Sequence, residues 1–303
     1  MALKVYPIGN EFAAEVGDID LSRPLSAQDE AQIKSAFARY AVLVFPQQEL
    51  TPEQHVALAR RFGELEISKQ LTRRTAGALR IREDLADTSN LDQNGQPFAQ
   101  DSRQRFDRLA NMLWHSDSSF KHVPAYASLL YARSVAPIGG HTEFADMRAA
   151  WEALPLSTRQ RIDGLRVEHW YLHSRAKMGF TELLPDELSK VPPVTQALVR
   201  TLPDTGQRAL YLSSHAGRIL DLPEDESREL LDTLMQHATQ RQFVYTHRWR
   251  LNDLVIWDNR CTMHRGTDFD DLRWKRDIQR ATVGDRANTL EAEQRLRAAA
   301  EPR

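Results

Sequence analysis

Beyond residue 125 the chain breaks into short strand-forming runs, spaced fairly evenly by turn signals, and this pattern leaves it few architectures. The runs are YASLLYARS (126–134), the alternating stretch from His141 to Ala145, LRVEHWYLH (165–173), ALYLSS (209–214), FVYTH (243–247), LVIW (254–257) and RDIQRATV (276–283). APIGG and LND are among the breaks between them. Many short strands split by turns predict a sandwich or barrel, mainly β with helical decoration.

The helices are legible from their ends. Ser26 to Tyr40 reads as a helix with Ser26 as N-cap and Asp29 three residues on. AVLVF (41–45) then reads as a buried strand stopped by Pro46. Thr51-Pro52-Glu53 opens a second helix, which Gly63 closes. A third, over 224–240, carries Leu230, Leu231, Leu234, Met235 and Ala238 on one face, and a helical tail follows from about 286. The segment 66–110 is polar, turn-rich and long; such connections are usually functional lids or disordered segments, and it is read as a cover over a site, with a plain surface loop as the alternative. No linker divides the chain, so residues 1–303 are expected to form a single domain.

Composition removes several classes of function. With 41% apolar and 27% charged residues over 303 positions, the chain can bury a large core. A net charge of −2, with no basic run interleaved with aromatics, argues against nucleic acid and anionic membrane as partners. The single cysteine, Cys261, rules out an intrachain disulfide and cysteine-based zinc sites. MALKVYPIGNEF lacks the apolar region of a signal peptide, and the apolar runs are too short to span a bilayer. A cytoplasmic protein is expected.

LWHSDSSF (113–120) contains the candidate chemistry. In a strand, residues two apart face one side, so His115 and Asp117 would project together and Ser116 away. One imidazole and one carboxylate leave a metal short of ligands, and the tripeptide alone reads more readily as polar side chains on the wet face of a strand. A second histidine would complete the two-histidine, one-carboxylate set that holds non-haem Fe(II). His264, in WDNRCTMHRGTDF just after LVIW, is the best placed of the remaining histidines. Thr142 follows a Gly-Gly turn with its hydroxyl available to a polar ligand. Arg276 and Arg280 are an even number of residues apart, roughly 13 Å along a strand, so each could serve its own anion. Without the metal motif, a solvated sheet edge is the readier account of such an arginine pair.

Taken together, WHSDSSF, GGHTEFADMRAAWEAL, WDNRCTMHRGTDF and RDIQRATV, in that order, resemble the TauD/TfdA family of Fe(II)- and 2-oxoglutarate-dependent dioxygenases. The resemblance runs from about residue 5 to about residue 285. It implies a double-stranded β-helix (jelly-roll) core with His115, Asp117 and His264 as iron ligands. Arg276 and Thr142 would bind the far carboxylate of 2-oxoglutarate, with help from Asn111. Arg280 would hold the acid group of the substrate, and Ser118 would offer it a backbone N–H. O₂ and 2-oxoglutarate would be consumed, with succinate and CO₂ released.

HSDSSF and HATQRQFVYTHRW look most like the branch acting on 2,4-dichlorophenoxyacetate, so an aryloxyalkanoate is the expected substrate. FGELEISKQ, with Ser68 and Lys69, differs from the taurine-type pattern, which makes a sulfonate or sulfate ester the less favoured alternative. Assembly as a homo-oligomer is expected too. Outside this family, a zinc hydrolase or a non-enzymatic jelly-roll binding module could also carry the same histidines and aspartate.

Overall fold

The apolar runs become strands because their residues alternate between two different cores. In the computed structural model, which describes residues 3–9, 11–67, 80–179 and 188–300, Val42 and Val44 of the strand Val42–Phe45 join one core, and Leu43 and Phe45 join the other. The same division runs through Leu254–Asp258, where Val255 and Trp257 oppose Leu254 and Ile256. It recurs in Ala125–Ser134, where Leu130 and Ala132 oppose Ala127, Leu129 and Tyr131. A strand with period-2 side chains that is apolar on both sides has to be covered on both.

These strands lie inside a seven-stranded sheet in the order Lys4–Pro7, Ala14–Gly17, Val42–Phe45, Leu254–Asp258, Ala125–Ser134, Asp277–Gly284, Ala86–Asp87. All neighbours run antiparallel except Ala14–Gly17 and Val42–Phe45. The helices Ala27–Tyr40 and Pro52–Ala59 cover one face, contributing Ile33, Phe37, Val56 and Leu58. Both start as their sequences predict. Ser26 accepts from the Asp29 N–H, and Thr51 and Gln54 form a reciprocal capping box that satisfies two otherwise orphaned donors.

The opposite face shares its core with a three-stranded sheet of Val244–His247, Thr142–Asp146 and Thr262–Gly266, from which Phe144 and Met263 enter. The helices Met147–Glu152 and Glu224–Ala238 extend that core with Trp151, Leu230 and Leu234. Smaller sheets of three and two strands and a last helix, Thr289–Ala300, complete a mixed helix-and-strand architecture. Among the described residues no helix is long and apolar enough to cross a membrane.

Two predicted strands are shortened. LRVEHWYLH pairs only over Arg166–His169, and a helix, Tyr171–Ala176, takes over after Trp170. Arg166–His169 has strand neighbours on both sides, whereas Tyr171 packs its ring against Phe120 and His215. Of ALYLSS only Ala209 and Leu210 lie in a strand, Arg208–Leu210. Apolar content marked both segments as buried, but partner availability decides which residues form strand.

One buried group links this packing to pH. His55 sits on the helix Pro52–Ala59 with its Nε2 3.0 Å from the Leu129 carbonyl, which only accepts, so Nε2 carries the proton. Burial, only partly offset by that bond, pushes its pKa from 6.5 to about 4. The unfolded chain therefore takes up the proton first, and stability is lost as pH falls from about 6.5 towards about 4. His55→Gln keeps a donor without a titrating group. We predict that urea unfolding will show a loss of about 2 kcal/mol from this site between roughly pH 7 and pH 5, absent in His55→Gln.

Candidate metal centre

Two segments far apart in sequence meet at one backbone pair. His115 N–H donates to the His264 carbonyl at 3.0 Å, and His264 N–H donates to the His115 carbonyl at 2.8 Å. Residues exchanging both bonds stand directly opposite with side chains on one face, and the two imidazoles lie 4.2 Å apart between centroids. His264 lies within the strand Thr262–Gly266. LWHSDSSF, by contrast, forms no regular strand. Only His115 bridges, and a turn begins at Asp117 with Ser118 at φ 54°.

His115 and Asp117 nevertheless converge. The Nε2 atoms of His115 and His264 each lie 3.9 Å from Asp117 Oδ1. One ligand atom from each of the three buried residues falls within 4.8 Å of the others. His115 donates its Nδ1–H to the Leu113 carbonyl at 2.7 Å, which fixes the tautomer and turns the Nε2 lone pair inward. Trp257 and Phe144 pack against the ring of His264, at 4.6 and 6.1 Å between centroids.

The protonation states suit a metal. Burial pushes both imidazoles down, His264 well below its ordinary value, so both are neutral at neutral pH. Burial would raise the Asp117 carboxyl, but the Arg280 guanidinium and other neighbours outweigh it and hold the pKa at about 2. Two neutral imidazoles and one carboxylate make a donor set that fits Fe(II) without displacing a proton.

The other predicted residues surround this face unequally. Thr142 is buried, and its hydroxyl accepts from Trp249 Nε1 at 2.9 Å. An indole N–H only donates, so the threonine proton remains available to a ligand. Arg276 packs along Gly140, two residues before Thr142, and its Nε donates to the Gly140 carbonyl at 3.1 Å. Gly140 has φ 64°, and a Cβ there would stand 3.3 Å from Arg276 Cδ, so glycine suits both the turn and the approach. Burial and then Arg108 lower the Arg276 pKa to about 10, leaving it cationic. Among the described residues no carboxylate pairs with it.

Arg280 donates through Nη1 to Asp117 Oδ1, and its Nε is buried with no partner among the described residues. A register irregularity between Asp277 and Ile278 separates the two arginines, so their even spacing alone does not place them on one face. Ser118 donates its hydroxyl to Glu66 at 2.8 Å, while its backbone N–H has no protein acceptor among the described residues. Asn111 is half-buried in the short Ala110–Met112 turn, without a side-chain hydrogen bond to any described residue. Ser68 and Lys69 lie outside the described residues.

Sequence reasoning missed an aromatic wall beside the histidines. His215 lies 6.4 Å from His115, 4.7 Å from Phe120 and 6.2 Å from Tyr171 between ring centroids. Arg175 sits over the Tyr171 ring at 4.3 Å. Only Phe120, three residues past Asp117, carried a sequence signal.

The sequence matches the profile described as "Taurine catabolism dioxygenase TauD, TfdA family" over residues 4–282. The chain belongs to the TauD/TfdA family. Within that family it is 42% identical to the alpha-ketoglutarate-dependent 2,4-dichlorophenoxyacetate dioxygenase of Cupriavidus pinatubonensis, over 95% of this chain and 99% of that protein. It is 34% identical to the (S)-phenoxypropionate/alpha-ketoglutarate-dioxygenase of Sphingobium herbicidovorans, over 89% and 91% of the two. The crystal structure of AAD-2 in complex with Mn(II) and N-oxalylglycine superposes with a TM-score of 0.87 at 45% identity, covering 94% of this chain and all (100%) of that one. Membership in the TauD/TfdA family makes the chain a non-haem iron dioxygenase dependent on 2-oxoglutarate.

The geometry predicts that His115→Ala and Asp117→Ala will each abolish stoichiometric Mn(II) binding, followed by electron paramagnetic resonance, and iron-dependent turnover. Far-UV circular dichroism should stay native. Binding retained in either variant would contradict this ligand set.

Proposed function

We propose that this dioxygenase hydroxylates an anionic aryloxyalkanoate of the 2,4-dichlorophenoxyacetate type. The observation that carries the reading is the Arg280 guanidinium beside Asp117, a cation placed at the metal face where it can grip a carboxylate. The Phe120–Tyr171–His215 wall gives the aromatic ring of such an acid an apolar neighbour. Relatives named for 2,4-dichlorophenoxyacetate and (S)-phenoxypropionate support the same class.

In this reading His115, Asp117 and His264 hold Fe(II). Arg276 and the Thr142 hydroxyl take the far carboxylate of 2-oxoglutarate, with Asn111 assisting. Arg280 and the Ser118 N–H take the acid group of the substrate. Bound Fe(II), with O₂ and 2-oxoglutarate, supplies the oxidising chemistry that yields succinate, CO₂ and a hydroxylated substrate carbon. The task of the chain is positioning, since the point where the acid is anchored decides which carbon faces the metal. Hydroxylation beside the ether oxygen gives a hemiacetal that collapses to a phenol and glyoxylate.

The architecture is read as a double-stranded β-helix formed by the seven- and three-stranded sheets around the site. Residues 1–303 act as one catalytic domain in this reading, with the described part of 66–110, residues 66–67 and 80–110, in its cover; 68–79 lie outside the described residues. Contacts on the described part support that role. Asn90 accepts from the Arg276 N–H and donates to the carbonyls of Asp271 and Trp274. Arg105 pairs with Asp271 at 2.8 Å.

A succinate-release screen over aryloxyacetates, both enantiomers of aryloxypropionates, taurine and alkyl sulfates tests the substrate class. Turnover confined to sulfonates or sulfate esters would overturn it. In the arginine test, Arg280→Ala should raise KM for the organic acid by about tenfold or more, the loss expected for a charge-assisted contact. Its KM for 2-oxoglutarate should change far less. The opposite order would mean that the two arginines exchange roles.

A further inference from the structure

Behind the metal-binding face lies a buried polar chain that the roles assigned so far do not use. Asp117 is 3% exposed, and Ser128, Trp257 and Asn259 are wholly buried. Ser128 is on Ala125–Ser134, directly opposite Trp257 in the register, and faces the same core as Leu130 and Ala132. It is a polar residue on an otherwise apolar face. Asn259 follows the strand Leu254–Asp258 and is pinned by its own N–H to the Tyr126 carbonyl at 2.8 Å.

The direction of every bond in this chain is determined. The indole Nε1 of Trp257 lies 2.9 Å from Asn259 Oδ1, and the backbone N–H of Asp117 lies 3.1 Å from the same atom. Both of these groups can only donate, so the atom between them is the amide oxygen. The amide nitrogen, Nδ2, therefore faces Ser128 Oγ at 2.9 Å and donates to it. Ser128 has one proton, and its remaining neighbour is Asp117 Oδ2 at 2.7 Å. The carboxylate oxygen accepts that proton's bond. Asp117 Oδ2 is thus held by Ser128, and Oδ1, which accepts from Arg280 Nη1, is the oxygen facing the two Nε2 atoms.

We propose that Trp257, Asn259 and Ser128 form a one-way hydrogen-bond chain that positions Asp117 as a single-oxygen metal ligand, tying back Oδ2 and presenting Oδ1. The inference rests on His115, Asp117 and His264 holding the metal, and the three residues act through Asp117 rather than on the substrate. Trp257 contributes twice, since its ring also packs against His264. The aromatic strand residue beside one ligand is therefore the first donor of the chain that orients another. Outer partners of this kind typically set metal affinity by 10- to 100-fold, about the range expected here.

The test is Mn(II) affinity of the full chain, measured from free Mn(II) by electron paramagnetic resonance, without substrate or turnover. Ser128→Ala is expected to raise the Mn(II) Kd by about 10- to 100-fold, and Ser128→Thr, which keeps the hydroxyl, to restore much of it. Asn259→Asp keeps the shape and both incoming N–H bonds but cannot donate to Ser128, so it should weaken Mn(II) binding as well. Ser116→Ala is the structural control. Ser116 is equally buried, yet among the described residues its hydroxyl bonds only the Leu212 and Thr262 carbonyls, and its loss should leave Kd within about twofold. Thermal unfolding of each variant checks that the fold persists, and whichever of Ser128→Ala and Asn259→Asp folds decides the outcome. Folded protein with an unchanged Kd overturns the positioning chain while leaving the metal site standing. Failure of the unsubstituted protein to bind Mn(II) overturns the metal reading, and the inference with it.

Discussion

Two backbone hydrogen bonds between His115 and His264 hold the centre together, and the surrounding architecture serves to make that pair possible. The residues are 149 positions apart (264 − 115 = 149). Bringing them into register closes a long loop, an entropic cost that local contacts cannot meet. It is offset by burial on both faces of the seven-stranded sheet and by the core shared with the three-stranded one. His264 is carried by Thr262–Gly266, whose pairing with Thr142–Asp146 sets His264 opposite Phe144 and also brings Thr142 to Gly266. One register therefore places a metal-facing imidazole, its aromatic packing and the hydroxyl of Thr142 together.

The two kinds of candidate ligand are supported in different ways for a physical reason. An imidazole is neutral when it binds a metal, so apolar rings can pack on its face, as Trp257 and Phe144 do on His264. A carboxylate must stay ionised, and burying it without donors would raise its pKa and neutralise it. Asp117 accordingly receives Ser128 on one oxygen and Arg280 on the other. The histidines need shape, whereas the aspartate needs donors.

Much of this was legible in the chain because the signals were local. Ser26 and Thr51 announce their helices by side chains that cap the next turn, and the short apolar run LVIW (254–257), bounded by LND, reads as a buried strand. His115, Asp117 and His264 could be singled out by residue type, but their convergence depends on pairing that the sequence does not display. The turn at Ser118 was hidden, since serine gives little warning of φ 54°. Tyr171 and His215 were hidden for another reason: the wall forms only where a helix and a distant loop meet Phe120. Ser128 did leave a trace. In YASLLYARS it interrupts the apolar face that Leu130 and Ala132 continue, and a lone hydroxyl there has to have a partner.

Charge balance ties the proposed roles together. Arg276 has no carboxylate partner among the described residues, and Arg280 shares Asp117 with the metal-binding face. On the proposed assignment, Fe(II) and the two guanidiniums bring four positive charges, which Asp117 and doubly ionised 2-oxoglutarate reduce to one. A buried site left with one uncompensated charge is costly. A substrate with one carboxylate brings the set to neutrality, whereas a neutral ether of the same shape would leave Arg280 without an anionic partner other than Asp117. On that assignment an organic acid balances the charge of the two arginines, Asp117, the metal and the co-substrate, and the aromatic wall stands beside the same face.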